Sequence, residues 1–145
     1  MSKLVFEISA PMQSYTIKTS SNHQYTNDRP TKDAIVGLLS ASLGYPRDDP
    51  RINELKEQLK VKTRDISDLN IFQPKKITDY QNAHYGKKNQ QLWREYIQDS
   101  KFEISIIGEQ SLLEKLAKSL THPKFALYLG RRSCPPDRPI IPHII

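Results

Sequence analysis

Hydrophobic and polar residues alternate along residues 4–8. Leu4, Phe6 and Ile8 fall on one side and Val5 and Glu7 on the other, the period of a strand buried on one face. Pro11 is expected to end it. After a polar stretch from residue 16 to residue 28 the spacing changes. Pro30 and Thr31 open a pattern in which Ile35, Leu38, Leu39 and Leu43 recur at helical spacing, closed by Gly44, so a helix with one apolar stripe is predicted there. Its Gly37, Ser40 and Ala41 are small. They either let a neighbouring element or a ligand approach the backbone or stand idle on the helix surface.

Asp49 and Pro50 read as an N-cap and first-turn pair for a short amphipathic helix carrying Ile52, Leu55 and Leu59 on one face. Residues 61–72, β-branched and apolar but broken by charges, predict one irregular strand. Residues 73–91, polar and basic with a glycine, predict an extended hairpin or loop. Phe102, Ile104 and Ile106 alternate with Glu103 and Ser105 in a second clear strand that stops at Gly108. Ser111 and Glu114 form a capping box ahead of Leu112, Leu113, Leu116, Ala117 and Leu120, and Pro123 ends that helix. A short apolar strand is expected over residues 126–129. The order strand, helix, strand, hairpin-like insertion, strand, helix, strand is that of an α+β chain with the ferredoxin-like, RNA-recognition-motif-like βαββαβ fold. The insertion occupies about residues 73–93, and residues 1–145 form one domain.

Length agrees, since 145 residues bury one core and not two. Charge adds a direction. Lysine and arginine outnumber aspartate and glutamate by 22 to 16, which favours an anionic partner, nucleic acid first. No apolar run is long enough to cross a bilayer, so no membrane partner is expected. The single cysteine, Cys134, fits a structural thiol in a reducing, cytoplasmic setting. Four histidines without paired spacing give no metal site. No cofactor and no small-molecule substrate are expected.

Two stretches carry candidate chemistry. Gly130 is followed at once by Arg131 and Arg132 behind the expected last strand. Arginine forks match phosphate oxygens and a glycine lets a backbone come close, although two solvated arginines on a turn would read the same way. In the insertion, Lys75, Lys76, Lys87 and Lys88 mix with Tyr80, His84 and Tyr85. That mixture follows a single strand by phosphate contact and base stacking, or is simply a solvated lysine-rich hairpin. Tyr80, His84 and Lys87 admit one catalytic hypothesis, RNA cleavage by general acid and base. No Gly-rich phosphate loop, GxSxG or HExxH is present, and no catalytic residue is otherwise expected.

Four blocks in order give a resemblance. They are Ala10-Pro11-Met12-Gln13-Ser14-Tyr15; Arg29-Pro30-Thr31-Lys32 leading to Gly37-Leu38-Leu39, Leu43-Gly44 and Arg47-Asp48-Asp49; Asp79-Tyr80 with Trp93-Arg94-Glu95-Tyr96 and Phe102; and Tyr128-Leu129-Gly130-Arg131-Arg132-Ser133-Cys134-Pro135. Together the chain resembles the CasD family, the fifth Cas family of the RAMP superfamily, in its type I-E form. The likeness covers nearly all of this chain but about the first two-thirds of a usual member, so a C-terminally shortened member is expected, without the last part of the family fold. Departures are Ala10 and Thr16 in place of glycines, Tyr15 in place of tryptophan, Asp33 and Ala34 in place of Ser-Gly, and a shortened thumb between Tyr80 and Trp93.

The resemblance implies a noncatalytic subunit of the type I-E Cascade complex that clamps the 5′ handle of the guide RNA (crRNA) and touches the backbone and large subunits. By the same likeness Gln13, Lys32, Arg131 and Arg132 are the handle contacts, residues 80–93 are the thumb, and Arg94 with Glu95 is a structural ion pair at its base. A second reading fits the same residues: a truncated decoy, an anti-CRISPR protein from a phage or mobile element, that competes for the CasD position without completing the complex. The apolar ending from Ile140 to Ile145 suggests a tail that docks on a partner or leaves a sheet edge uncovered.

Overall fold

The alternation at residues 4–8 is the start of a longer strand. In the structure, a computed structural model, β1 (Lys3–Gln13) turns Leu4, Phe6, Ile8 and Ala10 inward and does not stop at Pro11. Residues 2–20, 22–67, 75–85 and 88–145 are described, with residues 83–85 and 88–90 described by backbone alone. Pro11 is tolerated because it falls between the paired positions Ala10↔Ser100 and Met12↔Gln98, beside an Asp99 in the left-handed region (φ 50°). There the ladder does not need the amide hydrogen that proline lacks.

The polar stretch that follows forms a hairpin, β2 (Thr16–Ser20) and β3 (His23–Thr26). Helix α1 (Lys32–Leu43) starts where expected. The Thr31 hydroxyl accepts from the Ala34 amide at 3.2 Å, and Gly44 closes the helix with φ 81°. Ile35, Leu38, Leu39 and Leu43 are all buried. Helix α2 (Arg51–Gln58) is entered through Pro50 rather than capped by Asp49, whose carboxylate nevertheless accepts from the Arg51 amide at 2.9 Å. Then come β4 (Lys60–Asp65), β5 (Lys76–Tyr85), the long β6 (Lys88–Ile107), α3 (Gln110–Thr121) and β7 (His143–Ile144).

Strand β6 organises the sheet. Its C-terminal half lies between β1 (Phe6↔Ile104, Ile8↔Phe102) and β4 (Val61↔Ile106), and β7 pairs with the far edge of β1 (Leu4↔Ile144). The central order β4-β6-β1-β7, with α1 and α3 packed together, is the ferredoxin-like arrangement. The N-terminal half of β6 runs on past this core, antiparallel to β5 and parallel to two residues of β3, so the insertion is a hairpin built on a core strand. Phe6, Phe102, Ile104 and Ile106 of the sheet and Leu39, Leu113 and Leu116 of the helices are fully buried, each contributing about 1.5–3 kcal/mol relative to exposure.

Two further expectations are corrected. Residues 126–129 form no strand. The chain there leaves α3 across α1, and the Lys124 and Phe125 amides donate to the Ser42 and Ala41 carbonyls at the end of that helix, both at 3.1 Å. The last strand of the fold is instead β7. Nor does Ser111 cap α3: the N-cap is Glu109, without a side-chain bond, and Glu114 accepts from Gln110 at 3.0 Å.

Candidate nucleic-acid interface

The turn after Leu129 is tightly held against the end of β1. Gly130 has φ 87°, and a Cβ placed on it would lie 1.7 Å from the Ser14 carbonyl oxygen, so the turn rests directly on the backbone at the end of β1. The Ser14 amide donates to the Leu129 carbonyl at 3.3 Å, the Leu129 amide to the Cys134 carbonyl at 2.7 Å and the Cys134 amide to the Arg131 carbonyl at 2.9 Å. The two arginines leave this anchored turn for different surroundings. Arg131 donates from Nη1 to Gln24 Oε1 at 3.1 Å and stands 5.9 Å from the centroid of the Tyr96 ring. Arg132 borders a groove beside α1, with Gly37 and Ser40.

Around Arg131 the sheet supplies a second guanidinium. Gln24 of β3 is in register with Arg94 of β6, and Tyr96 lies two residues further on, so all three side chains share one side of the sheet. Among the described residues Arg94 Nε is buried without a hydrogen-bond partner. The ion pair expected between Arg94 and Glu95 is not formed. Neighbours along a strand point to opposite faces, and Glu95 Oε1 accepts from the Thr26 amide at 3.1 Å instead. Among the described residues neither Arg94 nor Arg131 has a carboxylate partner. Asp79 of β5 stands directly opposite Arg94, but its carboxylate accepts from Gln81 Nε2 at 3.1 Å and forms no ion pair with Arg94 among the described residues. Two guanidinium groups on one side of the sheet, one of them with an unpaired donor, make a candidate seat for an anion, because a buried donor left unpaired is costly until an acceptor arrives.

The hairpin rises next to this seat. Its ladder runs from Lys76↔Ile97 to Tyr85↔Lys88, and Tyr80 faces Trp93 across the strands with ring centroids 5.4 Å apart and planes at 60°, on the face opposite that of Arg94 and Tyr96. Tyr80 is 48% exposed, and Lys76 is exposed without an ion pair among the described residues. Lys75 serves the base of the hairpin. It pairs with Asp65 at 2.7 Å, and its carbonyl accepts from the Gln98 amide at 2.9 Å. Partial burial pushes the Asp65 carboxyl up, but hydrogen bonds from Lys75, the Ser67 hydroxyl and the Ser67 amide outweigh it and bring it down to about 2. His84 stands opposite Asn89, and Lys88 opposite Tyr85, by backbone register. Lys87 and the side chains of His84 and Lys88 lie outside the described residues, and with them the Tyr80, His84 and Lys87 catalytic set.

Two expected contacts differ in kind. Gln13 is fully buried: Nε2 donates to the Ser100 carbonyl at 2.8 Å, and Oε1 accepts from the Tyr15 hydroxyl. With both ends of its amide occupied it offers no polar atom to a ligand; it holds the end of β1 against β6, beneath the Gly130 turn. Burial, with Cys134 nearby, pushes the Tyr15 phenol far above its ordinary value, and burial raises the Cys134 thiol too, so both are neutral packing groups. Lys32 is exposed in the first turn of α1, and the adjacent Asp33 is held by Lys56 at 2.6 Å. Sequence reasoning missed Gln24, Arg94 and Tyr96 as site residues. The alternation of Arg94 and Tyr96 on the return strand was the available signal. Among the described residues no three His, Cys, Asp or Glu side chains gather as a metal site, and no helix is long and apolar enough to cross a membrane.

Comparison with known proteins agrees with this architecture. The chain is 29% identical over 157 residues to the CRISPR system Cascade subunit CasD of Escherichia coli (strain K12), covering 96% of this chain and 69% of that protein. A chain of a CRISPR RNA-guided surveillance complex superposes with a TM-score of 0.77 at 22% identity, over 93% of this chain and 60% of its own. A crystal structure of a Cas protein gives 0.68 at 27% identity, over 96% and 62%. The chain thus spans about three-fifths of the solved chains it matches. A family model described as CRISPR-associated protein (Cas_Cas5) matches residues 3–145, and the chain belongs to that family.

Proposed function

We propose that the chain works as a noncatalytic Cascade-type subunit that holds the 5′ handle of a single-stranded guide RNA. The observation that carries this reading is that Arg94 and Arg131 stand on one side of the sheet at the foot of an aromatic hairpin, with an Arg94 Nε left unpaired and no ion pair to a carboxylate among the described residues. Arginine forks position phosphates, and exposed aromatic rings stack unpaired bases. The name of the E. coli relative, a Cascade subunit, supports the assembly context. The protein partners in this reading are the backbone and large subunits, and the setting is the cytoplasm. Binding rather than cleavage is the role, so purified protein leaves RNA intact.

Fluorescence anisotropy with labelled single-stranded RNA tests the seat. Arg94→Ala and Arg131→Ala should each weaken binding and flatten the salt dependence by about 0.7 for each phosphate no longer neutralised. An unchanged slope removes the seat from the interface. Adding the chain to Cascade components lacking CasD tests the assembly role: restored target-DNA binding supports a working subunit. Loss of binding in the complete mixture, with the chain bound to Cascade, identifies a decoy.

A further inference from the structure

A second gathering of cations lies among the helices. The C-terminal ends of α1 and α3 and the start of α2 bound a pocket of about 340 Å³. Lys115, Lys118 and His122 follow one another at intervals of three and four residues, which puts them on one face of α3. Arg51 enters from α2 and Lys124 from the chain beyond α3. Among the described residues no acid lines the pocket, and none of the three lysines forms an ion pair. Glu114 stands one turn before Lys118, the favourable order for a helical pair, yet it accepts from Gln110 instead.

The walls are fixed by contacts of their own. The Ser42 and Ser119 hydroxyls, 2.8 Å apart, join α1 to α3 at the floor. Arg51 is held by Asp49 at 2.7 Å and lies 4.0 Å from the centroid of the Tyr45 ring, so its charge is already answered and it closes one side. Lys124 is seated from below. Its amide donates to the Ser42 carbonyl at 3.1 Å, and its Cδ lies 2.7 Å from where a Gly44 Cβ would stand, so the glycine makes room for the stem. The macrodipole explains a lysine in the last turn of a helix, and Lys118 alone needs no ligand. It does not explain Lys115 in the middle of α3 or Lys124 from a separate segment, three like charges whose mutual repulsion opposes folding.

The volume is that of a small-molecule site. Three unpaired lysines and an imidazole in so small a space call for a dense negative charge. A phosphomonoester carries about −1.5 to −2 near neutrality, where a carboxylate carries one charge. We propose that this pocket is a second anion site, which takes a phosphomonoester or diphosphate group, either on a small free molecule or at the phosphorylated end of a nucleic-acid strand. None of its residues belongs to the Arg94 and Arg131 seat, so the site stands apart from the RNA-binding reading.

Inorganic pyrophosphate is the probe. Thermal unfolding of the full chain is followed in increasing pyrophosphate, with sodium chloride at matched ionic strength as the reference. Wild type should gain about 5–10 °C, saturably, at a hundredfold excess over Kd. Lys118→Gln and Lys124→Gln, both at exposed positions and each read against its own melting temperature without the probe, should bind about tenfold or more weakly. Arg131→Ala should bind as wild type does. No saturable gain, a gain matched by chloride, or wild-type affinity in both glutamine variants overturns the site. An equal gain from succinate, a dicarboxylate, overturns the preference for phosphate and the proposal with it. Once pyrophosphate binding is established, an eight-nucleotide single-stranded RNA with a 5′-phosphate, a 3′-phosphate or neither identifies the source. A terminal phosphate that raises affinity in wild type but not in Lys118→Gln puts the end of a strand in the pocket; equal affinity for all three makes the ligand a free phosphorylated molecule.

Discussion

Replacing Gly130 by alanine should damage the fold and the interface together. Left-handed backbone costs a residue with a Cβ about 1–2 kcal/mol. At φ 87° the methyl would also stand more than an ångström inside any tolerable approach to the Ser14 carbonyl oxygen, a backbone atom that cannot swing aside. The turn must lift. Lifting breaks the 3.3 Å bond from the Ser14 amide to the Leu129 carbonyl, worth about 0.5–1.5 kcal/mol. A loss of about 2–3 kcal/mol follows, or roughly 5–10 °C in melting temperature for a chain of this size. Urea unfolding with an unchanged m-value, read beside RNA affinity, is the assay, because the displaced turn carries both arginines. Gly37→Ala is the control. It lies in α1 with free space at the new methyl and should gain about 0.5–1 kcal/mol. A Gly130→Ala protein within about 0.5 kcal/mol of wild type and equal in RNA affinity would refute the reasoning.

Other outcomes follow from the same geometry. Gln13→Leu should cost about 1–3 kcal/mol by leaving the Ser100 carbonyl and Tyr15 hydroxyl unpaired, yet keep the salt slope of RNA binding; a changed slope would mean that Gln13 meets the RNA directly. Asp65 is held below its ordinary 3.8, at about 2. Its stabilisation is present above the unfolded value and fades as pH falls through the folded one. Wild type and Asp65→Asn should therefore differ by at most about 1 kcal/mol near neutrality, because water screens the pair, and converge toward pH 2. A gap that widens on acidification contradicts this. Tyr80→Ala should lower RNA affinity about five- to hundredfold with a small change in melting temperature, since the exposed ring meets Trp93 on the hairpin. Equal affinity would take the hairpin rings out of the RNA interface.

Much of the core was readable because burial was one-sided. Leu4, Phe6 and Ile8, the stripe from Ile35 to Leu43, and Phe102 to Ile106 all lie inward as their spacing requires. The hairpin β2–β3 was not readable: β2 is exposed along its whole length, so no face carries an apolar signal. Residues 126–129 looked like a strand, yet their neighbour in space is the end of α1, a tertiary fact no local pattern contains. The site divides the same way. Arg131, Arg132 and Tyr80 were visible as residue types in a sequence context. Gln24 bonds Arg131, and Arg94 joins their side of the sheet only through a two-residue parallel pairing of β3 with β6, while Gln13 has a glutamine's polarity but a core residue's burial.

The twenty-residue β6 is both an inner strand of the core and a strand of the hairpin. Side chains alternate along it without a loop to absorb a slip, so the parity of its length is fixed. One residue gained or deleted between Tyr96 and Phe102 would leave the core in place and turn Arg94 and Tyr96 to the opposite side, away from Gln24 and Arg131, while moving Trp93 out of step with its neighbours. Only changes in steps of two, or changes beyond the hairpin's far end, keep the phase. Length variation that preserves this interface should therefore be even-numbered in β6 and concentrated at the tip.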